Sequence, residues 1–347
     1  MDERLVDPAA VFAAAAPHVD VVTADHIARH SFGVDGVFTP LESERDRNFR
    51  IEAPDEAEFL LKIHNGAEDE GFIEMQELAL EHVRAVDPSL PIPAPIPTRD
   101  GAPHATWADA TGAEHVVRLL TYLEGTKVDS ADFSLDAIRR YAGVVARMGI
   151  ALRSFSHPAA RHPMVWDDLQ VAAVRPLLGF VKDPKGRAQV DRWLTRAETH
   201  TVPVMETLRA QVIHNDLTRD NVLFDGRQDV SAILDFGDMV ETAFVCDLAN
   251  MLASLLGERP DFLAVAEAAI PGYVAVAPLE DEELAILPDV IAARAVADIV
   301  VSEWRTVLHP ENAEYITHWE AGSWVILETL DVVGVDELAE RFRAIAP

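Results

Sequence analysis

Short apolar runs set the character of residues 36–64. VFTPL (37–41), NFRIE (48–52) and EFLLKIH (58–64) are rich in Phe, Ile, Leu and Val and are separated by charged or Pro-Asp turns, a pattern that predicts successive antiparallel strands. In the third run Phe59, Leu61 and Ile63 fall on one face and Leu60, Lys62 and His64 on the other. The period then lengthens. From Glu70 to Val86, Ile73, Glu77, Leu80 and Arg84 form one stripe of a helix, with Met75, Leu78, Val83 and Val86 beside it. Five prolines in PSLPIPAPIP (88–97) predict an extended connector that no helix crosses. HATWAD (104–109) and HVVRLLTYL (115–123) read as two further strands, making five strands with one inserted helix.

Beyond Gly125 the helical period takes over. In 133–156, Leu135, Ile138, Ala142, Val145, Met148, Leu152 and Phe155 recur near every 3.6 residues, and another helix is expected over 187–210. Residues 211–238 revert to strand-like pieces, and from Ala243 onward helices return, with breaks expected at Pro260, Pro271, Pro278, Pro288 and Pro310. Upstream of the first strand, residues 5–32 read as helical with an interruption at Pro17. The expected organisation is an α+β chain of two lobes: a small antiparallel-sheet lobe, 1–124, and a larger helical lobe, 125–347. The change of pattern places the junction at Tyr122–Gly125, where a nucleotide is expected to bind between the lobes.

Composition narrows the function. The 347 residues carry 29 Lys and Arg against 59 Asp and Glu, a formal net charge of −30. Such a surface repels phosphate backbones and anionic headgroups, so nucleic-acid and membrane partners are excluded as expectations, whereas a cationic small molecule suits it. One cysteine, Cys246, forbids an intrachain disulfide. The opening MDERLVDPAAVFAAAA reads as neither a secretion signal nor a span, and a cytoplasmic protein is expected; oligomeric state is left open. No G-x-S-x-G is present, and the 13 histidines show no metal-ligand spacing.

The chemistry concentrates in 214–235. His-Asn-Asp-Leu-Thr-Arg-Asp-Asn spans 214–221, and Asp235 follows in Leu-Asp-Phe-Gly-Asp. Phosphoryl transfer from a nucleotide needs a carboxylate to take the acceptor's proton and oxygen ligands to hold Mg²⁺ against the phosphates. Asp216 fits the base, and Asn221 and Asp235 fit the metal ligands, all presented after strand-like runs.

These residues resemble the H-x-D-x-x-x-x-N loop and D-F-G motif of protein-kinase-like phosphotransferases. More closely, the chain is similar to the aminoglycoside phosphotransferase family, where the loop typically reads H-G-D-L. Within that family it looks like the hydroxylysine kinase-like branch, through SERDRNFRI…FLLKI (43–63), DFGDMVETAFVCDLA (235–249) and HPENAEYI (309–316). The resemblance implies a protein-kinase-like fold and a small-molecule O-phosphotransferase using Mg²⁺ and ATP or GTP. Its acceptor would be an amino-bearing alcohol, with 5-hydroxylysine the best single choice and an aminoglycoside the runner-up. A non-catalytic nucleotide-binding module is the rival from another class, disfavoured because base and metal ligands are all present. A protein kinase is disfavoured too: no A-P-E follows, and Asp247 comes twelve residues after Asp235.

The resemblance also implies supporting roles. Lys62 matches the strand lysine that meets the donor phosphates. Its usual helix Glu partner is replaced: alignment on Leu80 and Val83 puts Gln76 there, flanked by Glu74 and Glu77. No G-x-G-x-x-G fills the first turn, so backbone amides with Ser43, Arg45 or Arg47 are the candidate phosphate contacts. Tyr122 and Leu123 would offer backbone groups to the base. His214 and Asp247 would support the loop, and Asp238 would be a metal or neighbouring residue. Glu241 and Glu303, beside Trp304, are the candidates for recognising an amine on the acceptor.

Overall fold

The computed structural model describes residues 16–43, 45–257, 259, 261–310 and 313–346. The helix expected over 5–15, the reading of the opening segment, Glu44 of the first turn, the break at Pro260, and 311–312 of the HPENAEYI run lie outside these. The chain divides into two compact units: one runs up to Glu124 and takes in His157–Ala159, and the other comprises Gly125–Ser156 and Ala160 onward.

The first unit begins with helix α1 (Val21–Ile27), capped by Asp20, whose side chain accepts from Thr23 N at 2.8 Å. Strands β1 (Val37–Leu41), β2 (Arg47–Glu52) and β3 (Glu58–Ile63) follow, then helix α2 (Glu70–Val86), capped by Asp69. The unit closes with β4 (Pro95–Ile96), β5 (Ala105–Ala108) and β6 (Glu114–Thr121). All are antiparallel, in the order β1-β2-β3-β6-β4 with β5 also on β6. The sixth strand is a correction: the proline-rich connector lends two residues to the sheet, Pro95 and Ile96 opposite Leu120 and Leu119. Proline is tolerated there because this short strand needs few amide donors.

Alternation sorts the two sheet faces. Phe49, Ile51, Leu61, Ile63, Val117 and Leu119 are buried with Ala24, Ile27 and Ala28 of α1, and Phe59 packs at the margin. The opposite face carries a polar row. Asn48, Lys62 and Arg118 stand directly across from one another on β2, β3 and β6. Facing cross-strand residues share a side of the sheet, so three polar groups are forced together by register alone.

The second unit is mostly helical. Helix α3 (Leu135–Leu152), capped by Ser134, packs against α6 (Phe262–Val274). The helix expected over 187–210 runs over 184–205: α4 (Pro184–Arg196) continues through one wider helical turn (Ala197–Thr201) into a four-residue helical end (Val202–Met205), and strand β7 (Ala210–Ile213) follows. Strands β8 (Val222–Phe224) and β9 (Val230–Ile233) form a hairpin, and β10 (Val240–Ala243) returns to pair with β7. Helices α5 (Cys246–Leu256), α7 (Asp281–Leu308), α8 (Glu320–Val333) and α9 (Val335–Ile345) complete the unit, and α7 contacts the other three. Pro271 lies inside α6 and Pro288 inside α7, so neither ends a helix. The lost amide bonds are outweighed there by burial on almost every side of both helices.

Gly125, the first residue of this unit, touches the β8–β9 hairpin. A Cβ there would fall 2.3 Å from Ser231 Oγ and 2.6 Å from Leu223 Cβ. Close backbone approach, rather than flexibility, requires glycine at this position.

Candidate active site

The segment His214–Asn221 is the connection between β7 and β8. The hairpin then brings the chain back: Leu234 N donates to Asn221 O at 2.8 Å, which sets Asp235 beside the start of the hairpin. Asp235 has φ +50°, a left-handed conformation that Asp adopts more readily than most residues, and its carboxylate accepts from Gly237 N at 3.1 Å. Its side chain is exposed, and Asp238 is half-buried.

Asp216 is 21% exposed at its side chain. Asn221 Nδ2 donates to its Oδ2 at 2.5 Å and to its main-chain oxygen at 3.3 Å. Spending the amide hydrogens on Asp216 leaves Asn221 Oδ1 without a hydrogen bond among the described residues. Burial, reinforced by the negative charges of Asp238 and Asp235 and opposed by Arg294, pushes Asp216 up to about 7. Asn221 Oδ1 and the Asp235 carboxylate are hard oxygens suited to Mg²⁺.

The loop is held from below. Asp247, one residue into α5, accepts from Asn215 N at 2.8 Å. It is therefore not the helix N-cap, a place taken by Val245. Burial raises it to about 7. Asn250 Nδ2 donates to Asn215 O at 2.8 Å, and the buried Tyr141 hydroxyl donates to Leu217 O at 2.5 Å. His214 is fully buried: Asp216 N donates to its Nδ1 at 3.3 Å, so Nε2 carries the hydrogen given to Leu234 O at 3.0 Å. Burial lowers it to about 4, which keeps the ring neutral.

Asn215 stands where related loops carry glycine, and its φ of +66° explains why. Asparagine tolerates this region, and its Nδ2 also donates to Trp166 O at 3.2 Å. Asn215→Ala is expected to destabilise the protein by about 2 kcal/mol, from left-handed strain and the lost hydrogen bond, and Asn215→Gly by less. Urea unfolding of the two variants tests the order.

The two acceptor-site candidates lie on different elements. Glu241 lies on β10 and pairs with Arg161 Nη2 at 2.5 Å. Glu303 lies nine residues beyond Arg294 on α7, half a turn around the helix, and its charge acts on Glu320. Other charged groups act on Asp216. Arg294 is buried, with Nη2 3.7 Å from Asp216 Oδ1 and Nε 3.3 Å from Asp298 Oδ1, and its guanidinium lies 5.2 Å from the Trp166 ring centre. Asp168, Asp216, Asp238 and Asp298 all act on it. Asp168 is pushed up to about 8, chiefly by burial, and burial raises Asp298 as well. A sequence signal existed: Arg294 and Asp298 form an i,i+4 pair inside the apolar run Val290–Val301.

In the other unit, Lys62 Nζ lies 2.9 Å from Asp46 Oδ2, each side chain 12% exposed. Gln76 does not serve Lys62. Its Oε1 accepts from Arg118 Nη2 at 2.7 Å, because Arg118 sits directly across from Lys62 and faces α2. His64 Nε2 accepts from Arg118 Nε at 2.8 Å, so Nδ1 carries the proton and donates to Glu68 Oε2 at 2.7 Å. His64 and Glu68 are thus hydrogen-bonded to each other, whereas Asp46 Oδ1 lies 4.0 Å from His64 Nδ1 and the Asp46 carboxylate is engaged by Lys62 and Asn65 N. Ser43 Oγ accepts from Asp46 N at 3.3 Å, and Arg45 O accepts from Asn65 Nδ2 at 3.2 Å. Tyr122 N is committed to Glu58 O at 3.0 Å and its ring lies under Arg50 at 4.9 Å, whereas the Leu123 peptide makes no backbone hydrogen bond among the described residues. No helix among the described residues is long and apolar enough to cross a membrane.

The sequence model of the phosphotransferase enzyme family, the aminoglycoside phosphotransferases, matches residues 37–279, and the chain belongs to that family. It has the protein-kinase-like fold and is a small-molecule kinase acting on an alcohol group. The hydroxylysine kinase of Mus musculus is 25% identical over 325 residues, covering 87% of this chain and 86% of its own. A homoserine kinase of Gluconobacter oxydans is 28% identical over 225 residues, covering 64% and 68%. Among solved structures, an amicoumacin kinase in complex with AMP-PNP, Ca²⁺ and its ligand superposes with a TM-score of 0.68 at 15% identity, over 90% of this chain and 94% of that one.

Proposed function

We propose that the enzyme transfers the γ-phosphate of ATP or GTP to the hydroxyl of a small amino-bearing metabolite, with 5-hydroxylysine as the acceptor. The observation that carries the reading is Asp216, held by Asn221 beside Asp235 and Asp238 with its affinity for a proton raised towards neutrality. In this reading Asp216 orients the acceptor hydroxyl and takes its proton. Asn221 Oδ1 and Asp235 hold Mg²⁺, which when bound offsets charge on the phosphate oxygens. Lys62 steadies the donor phosphates, with Ser43 and Arg45 in the adjoining turn. Leu123 offers its peptide to the base next to Tyr122. His214 and Asp247 brace the loop, and Asp238 adds to the field at Asp216. A nucleoside triphosphate donor goes with a cytoplasmic location.

The acceptor class follows from charge and from the mouse relative. Asp168, Asp216, Asp238 and Asp298 outnumber the single charge of Arg294, and burial raises the proton affinity of Asp168, Asp216 and Asp298. An ammonium group would relieve that excess. The test is a panel of 5-hydroxylysine, its deaminated analogue, homoserine and aminoglycosides, each with ATP and with GTP, followed by release of nucleoside diphosphate. 5-Hydroxylysine is expected to give the highest kcat/KM and its deaminated analogue a KM at least about tenfold higher, a loss of uniform binding. Preference for an aminoglycoside would replace the acceptor, and nucleotide binding without any turnover would support a non-catalytic module.

A pH dependence is expected as well. A base works only when ionised, so kcat/KM should rise with pH through an apparent pKa no higher than about 7, bound Mg²⁺ shifting it downward. Arg294 favours the ionised form of Asp216, so Arg294→Gln is expected to move the acid limb to higher pH. An unmoved limb would separate Arg294 from the base.

A further inference from the structure

Kinases of this fold class pair the phosphate lysine with a helix carboxylate, and α2 offers three candidates here. Each is engaged elsewhere. Glu74 lies 3.6 Å from His157, Gln76 accepts from Arg118, and the buried Glu77 lies 3.1 Å from His104 Nδ1. Lys62 instead meets a carboxylate from the β1–β2 turn. We propose that Asp46 is the positioning residue for Lys62, supplying from that turn the negative charge that α2 does not. The proposal rests on the reading of Lys62 as the phosphate lysine.

Three observations favour a fixed positioning role over a plug that blocks the phosphates. Asp46 is anchored on its other oxygen, Oδ1 accepting from Asn65 N at 3.0 Å. Its turn is tied down by Asn65 Nδ2 on Arg45 O and by its own amide on Ser43 Oγ. Its side chain is as buried as that of Lys62, so it is placed by the fold rather than swinging in solvent. The division of labour has an electrostatic logic. Lys62 and Arg118 are cross-strand neighbours that repel. Arg118 is held by the neutral acceptors Gln76 and His64 on the α2 side, and Asp46 draws the lysine ammonium to the turn side.

Calorimetry with Mg²⁺ and AMP-PNP or GMP-PNP tests this on the full chain without needing an acceptor. Asp46→Asn can still accept from Asn65 N but has no charge. It is expected to raise the nucleotide Kd about 10- to 100-fold, as a lost charge-assisted bond does, while the protein stays folded at the temperature of the titration. Lys62→Met is expected to do the same, and the double variant to bind no more than about threefold more weakly than Lys62→Met alone. Asp46→Glu, which keeps the charge, is expected to recover most of the affinity. It also serves as the test if the Asn variant does not fold. Unchanged or tighter binding by Asp46→Asn, multiplicative losses in the double variant, or an Asp46→Glu loss as large as that of Lys62→Met would overturn the proposal while leaving Lys62 in its role. Unchanged binding by Lys62→Met would overturn both.

Discussion

Asp216→Asn is expected to lower kcat by about 10²–10⁴-fold, with the nucleotide Kd within about threefold of the parent. The substitution is nearly isosteric. Asn221 Nδ2 can still donate to the retained oxygen, and the buried loop contacts of His214, Asn215 and Leu217 are untouched. What disappears is the only function an amide cannot perform, accepting a proton. Stability argues the same way. A carboxyl raised from 3.8 to about 7 binds more protons folded than unfolded between those values, so its contribution to stability falls as pH rises through that window. Removing it should leave the thermal midpoint at pH 8 no lower than in the parent. Near-parental turnover by the variant would take the base role away from Asp216, and a collapsed midpoint would show that the charge serves the fold.

Loss of Asp235 should be felt through the metal. Asp235→Asn is expected to abolish the Mg²⁺ dependence of nucleotide binding and to lower turnover by about 10²-fold or more. Asparagine also tolerates φ +50° and can accept from Gly237 N, so backbone strain is not confounded with ligand loss. Asp235→Ala would remove ligand and cap together, and is expected to be less stable as well as inactive. Calorimetric titrations of nucleotide with and without Mg²⁺ provide the measurement. A metal dependence that survives in both variants would move the ligand to another carboxylate, with Asp238 next in line.

Opposing titrations shape the stability of the loop. His214 is lowered from 6.5 to about 4 because the buried ring is kept neutral. The unfolded chain therefore binds its proton first, and the fold loses stability as pH falls from about 6.5 to 4. Asp247 runs the other way, raised to about 7 by burial, and its contribution declines as pH rises from 3.8 towards 7. The pH profile of stability is expected to combine these with Asp216 and Asp168.

Much of the fold was legible in the chain. Period-two alternation located β1, β2, β3, β5 and β6, and a 3.6-residue period located α2 and α3, because one buried face dictates residue type at each position. The two residues of β4 were hidden since prolines satisfy no strand pattern, and β10 because four residues carry too little periodicity. Pro271 and Pro288 misled because a helix buried on most sides survives a missing amide bond.

The site divides in the same manner. Linear spacing brought out His214, Asp216, Asn221 and Asp235, since one loop and one hairpin carry them and their order is itself the chemical motif. Asn215 could have been read from its tolerance of positive φ. The partners of those residues were not linear. Gln76 went to Arg118 and Asp46 to Lys62 because strand register, not sequence distance, set Lys62 and Arg118 side by side. Arg294 and Asp298 entered the surroundings of Asp216 because α7 presents that side. Sequence alone determined which reactive groups the chain carries and the local backbone that presents them, because both depend on neighbours along the chain. The tertiary structure alone decided which charges oppose one another, because Coulomb and desolvation energies depend on distances that only packing sets.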